Sequence, residues 1–176
     1  MEQGGPLQGV LVADFSRVLA GPYGTMLLAD LGATVVKVEP PSGDDTRHWG
    51  PPWTADGEST YFQSINRNKR SVVLDLGTDE GRRRGLALAG RADVMIENFR
   101  TGSLDRFGLG YDDVRSRNPD VVYCSITGFG SEEGAGIPGY DLVVQAVSGL
   151  ISLTGPDKET PTKSGIATAD VLTGLH

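Results

Sequence analysis

Asp170 is the residue whose surroundings most strongly suggest chemistry. It is the only charged side chain between Ser164 and Gly174, and its neighbours there are small or apolar. Because this stretch offers no cation to pair with the carboxylate, burial and local dipoles would set its pKa and its nucleophilicity. An ionised, poorly solvated carboxylate can act as a nucleophile. The alternative is structural, since Asp is also common as a cap or first-turn residue at the start of a helix.

Length and composition indicate one globular domain. A chain of 176 residues with 38% hydrophobic and 22% charged residues can bury about two-thirds of its unfolded surface. The sequence has no basic and apolar leader and no apolar run of membrane-spanning length, so we expect no membrane association. Its single cysteine, Cys124, excludes an internal disulfide and is compatible with a reducing compartment. We therefore expect a cytoplasmic protein.

The charge is unevenly distributed along the chain. The net charge is −7, which argues against a general nucleic-acid binder. Eleven of the sixteen Lys and Arg residues lie between Arg67 and Arg117, together with eight carboxylates, so this third of the chain is locally basic. Such a region suits a small polyanionic ligand better than a long one. The alternative is a set of solvated helix faces, and we assign Arg82, Arg83 and Arg84 to that class.

Apolar runs alternate with helical patterns along the chain. Strand-like runs are predicted at 10–13, 34–38, 71–74, 94–97 and 121–126. Helices are predicted at 20–31, with Pro22 near the start and Gly32 as a stop signal, and at 79–89, with shorter pieces around Leu104 and Val114. Strands that alternate with helices at this spacing favour a parallel sheet covered on both faces. The predicted class is α/β, doubly wound, with a mostly parallel sheet and Rossmann-like layering.

Ligands of such sheets bind beyond the carboxyl ends of the strands. The segments to consider are residues 14–22, 39–47, 75–77, 98–106 and 128–140. Residues 134–139 match G-x-G-x-x-G by letter, but they lie well past the strand end and include a proline, so we interpret them as a flexible loop. The sequence has no P-loop, and its two distant histidines and one cysteine do not predict a metal site.

Several stretches together resemble one family. They are residues 14–22 (DFSRVLAGP), 32–40 (GATVVKVEP), 68–76 (NKRSVVLDL), 92–100 (ADVMIENFR), 139–141 (GYD) and the segment around Asp170. In this order they resemble the N-terminal part of a family III coenzyme A transferase, the group that contains the formyl-CoA and carnitine-CoA transferases. The resemblance runs from about Gly9 to His176 and does not specify a substrate.

The resemblance implies a role for Asp170. This residue matches the family's catalytic aspartate, which attacks the acyl carbon of an acyl-CoA to form a mixed anhydride. The released CoA thiolate then gives an aspartyl-CoA thioester, from which an incoming carboxylic acid collects the CoA. Acyl-CoA and a small carboxylic acid are thus the implied partners, with CoA as a substrate and no permanently bound cofactor.

The resemblance also implies a CoA-binding set. Asn98 and Phe99 match positions that contact the nucleotide end of CoA, Arg106 matches a phosphate-facing arginine, and Leu74 belongs to the matching LDL block. Cationic donors for phosphates and an apolar surface for the base are what such a ligand requires. From the residues alone, Arg106 could instead be a surface charge and Phe99 an ordinary core residue.

Tyr140 and Leu19 bear on the reaction and on the substrate. The related α-methylacyl-CoA racemases have histidine where this chain has Tyr140. A phenol is a poor base at neutral pH, so the racemase alternative is less favoured. Leu19 replaces a glutamine of the formyl-CoA transferases, which argues against that substrate pair. Gly77 stands where a lysine is frequent, so one phosphate contact is expected to be missing.

Members of this family are longer and form interlinked dimers. Residues 1–176 are therefore expected to be the N-terminal part of the large CoA-binding and catalytic domain, without the family's second, smaller domain. We expect this part to work as a homodimer or with a complementary chain, and to be inactive alone. A third interpretation, from a different class, is a CoA-binding or assembly module without catalysis.

Overall fold

Five parallel strands form the centre of the protein in a computed structural model that describes residues 4–176. The strands are β1 Leu11–Asp14, β2 Thr34–Glu39, β3 Arg70–Val73, β4 Val94–Glu97 and β5 Val122–Ser125. The helices are α1 Ala20–Asp30, α2 Thr60–Asn66, α3 Asp79–Ala89, α4 Tyr111–Arg117, α5 Asp141–Val147, α6 Leu150–Thr154 and α7 Thr168–Leu175. Short 3-10 turns lie at Asp45–His48 and Asp105–Phe107.

The strand order is β3-β2-β1-β4-β5, and every neighbouring pair is parallel. The chain moves outward from β1 to β3 on one side and then crosses to β4 on the other side of β1. The order therefore reverses between β1 and β4, which creates a crevice at the carboxyl ends of these two strands. The predicted α/β class and parallel sheet are confirmed.

Both faces of the sheet are covered. Val12 and Ala13 are adjacent in β1 and both fully buried, but they belong to opposite core layers, because successive strand residues point to opposite faces. One layer packs β-strand residues against α3, α4 and their loops, around Met95, Ala89 and Leu109. The other layer lies under α1.

Most predicted elements are found at or near their expected bounds. The helix at 79–89 and the strand at 94–97 begin and end at the predicted residues. The proline-rich segment after β2 differs, because it also contains the 3-10 turn and is followed by α2. Helix α2 begins after Ser59, whose hydroxyl accepts a hydrogen bond from Phe62 N at 3.2 Å. A seven-residue helix spans about two turns, too few to produce a clear periodic signal.

Two of the three consecutive arginines of α3 are exposed. Arg83 and Arg84 both pair with Glu80, three or four positions away on the helix, as predicted for a solvated helix face. Arg82 pairs with Asp79 but is partly buried, and its Nη1 also donates to the carbonyl oxygens of Leu76 and Gly77. Within residues 4–176, none of the helices combines the length and apolar character needed to cross a bilayer.

Candidate active site

A cavity of about 280 Å³ opens at the reversal point of the sheet. Its walls come from the segments that follow β1, β4 and β5, from the residues before α5, and from the start of α7. The predicted site residues that line this cavity include Leu19, Asn98, Tyr140 and Asp170. The loops after the strands thus bring together residues that are up to 151 positions apart in the sequence.

A second cavity, also about 280 Å³, lies on the side of β2 and β3. Phe99 and Arg17 line both cavities, so the two share a wall. The predicted residue Leu74 lines this second cavity beside Val38 and Phe107, and these three side chains give the cavity an apolar wall. The second cavity is therefore the more apolar of two adjoining cavities.

Asp170 lies in the first turn of α7 but does not cap the helix. The N-cap position is Ala167, which has no capping side chain. Among the hydrogen bonds of residues 4–176, none reaches the Asp170 carboxylate. Burial, and secondarily the negative charge of Asp141, raises the pKa of Asp170 to about 6. The carboxylate is therefore still mostly ionised at neutral pH while being partly removed from water.

Asp141, the first residue of α5, caps the helix that carries Asp170. Its Oδ1 accepts hydrogen bonds from the backbone N–H groups of Ala169 at 2.8 Å and of Asp170 at 3.2 Å. The other carboxylate oxygen accepts a hydrogen bond from Gln145 Nε2 at 2.5 Å. Helices α5 and α7 are therefore joined at the point where Asp170 faces the cavity.

Helix α7 also crosses α1 at very short range. A Cβ atom on Gly174 would lie 2.7 Å from the carbonyl oxygen of Ala20 and 3.2 Å from Gly24 N. A Cβ on Gly24 would in turn lie 3.1 Å from the carbonyl oxygen of Gly174. This approach of two helix backbones leaves no room for a Cβ on Gly174 and little room for one on Gly24, and it fixes α7 against α1 one turn after Asp170.

The loop between β1 and α1 forms the floor of the cavity. Asn98 Oδ1 accepts a hydrogen bond from Arg17 N at 2.8 Å, and its Nδ2 donates to the carbonyl oxygen of Arg17 at 2.7 Å. The next residue, Val18, has a φ of 66°, which is unfavourable for a β-branched residue. Asn98 thus holds a strained loop in place, while the Arg17 guanidinium lies 5.3 Å from the centre of the Phe99 ring.

Buried ion pairs support this loop from below. Lys37 Nζ lies 2.8 Å from Asp44 Oδ2, with both side chains 1% exposed, and it also donates to the carbonyl oxygen of Ser16 at 2.9 Å. Lys69 Nζ lies 3.2 Å from Asp14 Oδ2. Burial lowers the pKa of Lys69 to about 8, although the charge of Asp14 opposes that shift. Asp14 ends β1, Lys37 lies within β2, Asp44 follows β2 and Lys69 precedes β3.

Glu39 is the third buried carboxylate of this floor. Burial alone would raise its pKa, but hydrogen bonds from Arg47 and Ser71 and from the backbone of Asp44 lower it to about 2. Arg47 bonds both carboxylate oxygens, at 2.6 Å through Nε and 2.7 Å through Nη2. Glu39 is therefore ionised at neutral pH, and the backbone N–H of Asp44 joins it to the Lys37–Asp44 pair.

The structure does not bring every predicted residue to the cavities. Arg106 is exposed in the 3-10 turn and lines neither of the two cavities, so its phosphate-facing role stays a prediction. Leu19 is buried at the start of α1, and Tyr140 is 68% exposed just before α5. Both line the first cavity, with Tyr140 open to solvent.

Three further side chains of the site were not singled out from the sequence. Arg17 and Asp45 line both cavities. Tyr61 has its pKa raised to about 12 by burial and by the negative charge of Asp170, which keeps its phenol protonated. Arg17 and Asp45 lie in the segments after β1 and β2, so their positions were indicated although their roles were not. Tyr61 belongs to α2, the helix that the pattern did not reveal.

Several known proteins are similar to this chain. A succinate–glutarate CoA-transferase from Agrobacterium fabrum is 49% identical over 97% of this chain and 44% of its own length. The human succinyl-CoA:glutarate CoA-transferase is 48% identical over 97% of this chain and 39% of its own length. The crystal structure of a CAIB/BAIF family protein from Brucella suis matches with a TM-score of 0.93 and 47% identity, covering 98% of this chain and 47% of that one.

This chain thus spans less than half the length of the curated relatives described above. The family model described as CoA-transferase family III matches residues 7–176, which is nearly the whole sequence. The chain belongs to CoA-transferase family III.

Proposed function

We propose that this chain forms part of an acyl-CoA:carboxylate CoA transferase in which Asp170 is the nucleophile. The observation that carries the proposal is the position of Asp170, a partly desolvated carboxylate without hydrogen-bond partners among residues 4–176, facing the cavity at the reversal point of the sheet. Family membership supports the reaction class. The relatives named for succinate and glutarate support a small carboxylic acid as acceptor.

The proposed reaction begins when an Asp170 oxygen attacks the thioester carbon of the acyl-CoA. The C–S bond breaks, CoA leaves as the thiolate, and a mixed anhydride with Asp170 remains. The thiolate attacks the Asp170 carbonyl carbon, releases the donor acid as a carboxylate and forms an aspartyl-CoA thioester. The acceptor carboxylate repeats the two steps in reverse order, so that acceptor acyl-CoA leaves and the Asp170 carboxylate is regenerated. No net proton transfer is needed, and exclusion of water protects the anhydride.

We infer that the nucleotide end of CoA lies over the second cavity. Leu74 and Phe99 supply an apolar wall suited to a base, and the Arg17 guanidinium beside Phe99 is a cation at the boundary between the two cavities. The thioester arm would then extend past Asn98 into the first cavity towards Asp170. Binding energy gathered at the nucleotide end would help to position the thioester.

Tyr140 favours transfer over racemisation, and Leu19 argues against formyl-CoA as the donor. A racemase needs acid and base groups on both faces of the α-carbon, and in the first cavity the position before α5 carries a phenol. Leu19, which is buried beside Asp170's cavity, offers an apolar contact where a glutamine would offer an amide. We therefore expect acyl groups other than formyl as donors.

We further propose that residues 1–176 constitute the N-terminal part of a larger catalytic domain. The curated relatives are more than twice as long as the part that this chain matches. Large apolar side chains of the last helices, among them Leu153 at 83% and Leu172 at 59%, are exposed. A homodimer or a complementary chain would cover them, and we expect no turnover from the 176-residue chain alone.

The test is an acid-quenched mass spectrum of the full-length protein, including any downstream segment, after mixing with succinyl-CoA. We expect an acyl or CoA adduct on the peptide that contains Asp170. Hydroxylamine, which converts activated carboxyl groups to hydroxamates, should label the same residue. The matched control is Asp170→Asn, which keeps the shape but not the charge. An unchanged adduct in this variant, or an adduct at another residue, would overturn the assignment.

A further inference from the structure

We propose that Asp141 is a positioning residue for the nucleophile. By occupying the amide groups at the N-terminus of α7, it leaves the Asp170 carboxylate free to face the cavity. The inference rests on the proposed role of Asp170, but it concerns a different residue on a different helix. It follows from hydrogen bonds that the reaction described above does not use.

The first observation is that Asp141 takes the position of an N-cap from outside α7. The chain's own N-cap residue is Ala167, which has no side-chain acceptor. Asp141 Oδ1 instead accepts from the N–H groups of Ala169 and Asp170, at 2.8 and 3.2 Å. Amides at a helix N-terminus are the strongest local binding site for a carboxylate. Asp141 therefore occupies the N–H groups of Ala169 and Asp170, which are then closed to the Asp170 carboxylate.

The second observation is that Asp141 is itself held rigidly. Gln145, one turn later on α5 and 1% exposed, donates from Nε2 to Asp141 Oδ2. The same amide group donates to the carbonyl oxygen of Ile166 at 3.3 Å, and Gln145 Oε1 accepts from Ser164 N at 3.0 Å. A single buried glutamine therefore ties the segment before α7 to the carboxylate that caps it.

The consequence for Asp170 is electrostatic as well as geometric. Two carboxylates now share one helix end, and only one receives the hydrogen bonds. Burial first and the charge of Asp141 second raise the pKa of Asp170 to about 6. A more basic carboxylate is a better nucleophile, and this one still ionises below neutral pH.

Other titratable or charged groups line the first cavity or pack against α2 and α7, so the contribution of Asp141 must be separated from theirs. They come from α1, α2, the loops that line the first cavity and the residue before α5: Tyr23, Tyr61, Arg17, Asp45, Arg100 and Tyr140. Of the charged groups, only Asp141 contributes to the raised pKa of Asp170, after burial. None of the other groups accepts a hydrogen bond from the first turn of α7.

The test is a titration of the Asp170 carboxyl carbon by NMR, without CoA, in the wild type and in Asp141→Asn. Asparagine retains an acceptor oxygen for the two amides and removes the charge. We expect the Asp170 midpoint to fall from about 6 towards the ordinary value of an aspartate. Asp120→Asn, an exposed carboxylate after α4, is the matched control and should leave the midpoint unchanged. An unmoved midpoint in Asp141→Asn would overturn the proposal.

A second variant, Asp141→Ala, tests the hydrogen bonds themselves. Amide exchange at Ala169 and Asp170 should become about tenfold faster, as expected when a hydrogen bond to a charged group is lost. Unchanged exchange at both amides would also count against the proposal. Because both readouts are taken without substrate, they remain valid if Asp170 proves not to be the nucleophile, which the adduct experiment decides separately.

Discussion

The two regions that meet at the first cavity are packed in different ways. The floor, made by β1, β2 and the loop before α1, contains buried ion pairs whose side chains are at most 2% exposed in Lys37–Asp44 and Lys69–Asp14. The helical layer, residues 127–176, contains one buried residue, Gln145. The floor is therefore complete within this chain, whereas the layer that carries Asp170 is mostly exposed.

This difference indicates which contacts hold the residues of the site in position. The floor holds its loop by charge pairing, by Asn98 and by core packing, which resist displacement because any shift would leave a buried charge unpaired. Helix α7 is held instead by the close crossing of its backbone with α1 and by the cap from Asp141. Substitutions in the floor should therefore change stability most, and substitutions in the helical layer should change the position of Asp170.

The largest effect is expected from Lys37→Met in the floor. Methionine retains the length of the side chain but leaves Asp44 buried without its cation, which typically costs about 3–5 kcal/mol of unfolding free energy. Burial opposes ionisation of Asp44, and in the native protein the charge of Lys37 keeps the pKa of this carboxyl below its usual range. Urea denaturation of the two proteins at neutral pH measures the difference.

A double variant, Lys37→Met with Asp44→Leu, controls for this prediction. Replacing both members of a buried pair by apolar residues is often close to neutral, so most of the stability should return. A loss below about 1 kcal/mol in the single variant, within the range of ordinary substitutions, would show that the floor is not held by this pair.

An intermediate effect is expected from Gly174→Ala at the crossing of α1 and α7. The new Cβ would lie 2.7 Å from the carbonyl oxygen of Ala20, and a backbone atom can only yield if the helix moves. Overpacking of this kind costs about 1–3 kcal/mol, more than the gain of about 1 kcal/mol from helix propensity. Thermal denaturation should show a lower melting temperature.

Gly85→Ala on α3 is the matched control, because there the nearest side-chain atoms would be 3.4 Å from the new Cβ. We expect that variant to be neutral or slightly stabilised. The two alanine variants should also differ in the rate of adduct formation at Asp170. In Gly174→Ala a displaced α7 moves Asp170, and a shift of about 1 Å can reduce a rate by about 10². Equal rates of adduct formation in both variants would show that the crossing does not position the nucleophile.

Much of the fold could be predicted from the sequence, because local signals and tertiary packing agree there. The run at 94–97 is a central strand buried on both faces, and the helix at 79–89 has Thr78 as its cap and acids in its first turn. Helix α2 could not be predicted, since it is short and follows a proline-rich segment. Its position depends on Ser59 and on packing against α1.

The site could be predicted in part for the same reason. Sheet topology alone placed the segments after the strands at one edge, and the family resemblance selected Asp170, Tyr140 and Asn98 within them. The contact by which Asn98 holds the loop and the cap that Asp141 provides could not be predicted, because each is a hydrogen bond to a backbone group 81 or 28 positions away. No periodicity or local propensity carries such information.

The smallest effect is expected from Leu153→Ala in α6. Leu153 is 83% exposed, so its removal from the 176-residue chain should change the unfolding free energy by no more than about 0.5 kcal/mol. The reference is Leu104→Ala near the floor, where the same side chain is 4% exposed and truncation should cost about 2–5 kcal/mol. Urea denaturation at several protein concentrations measures both. If Leu153→Ala lowers the unfolding free energy by more than about 1 kcal/mol, and this loss becomes smaller on dilution, copies of the chain cover the helical layer in solution. If the loss is as large but does not depend on concentration, the layer is packed within one chain, and the contrast between the two regions disappears.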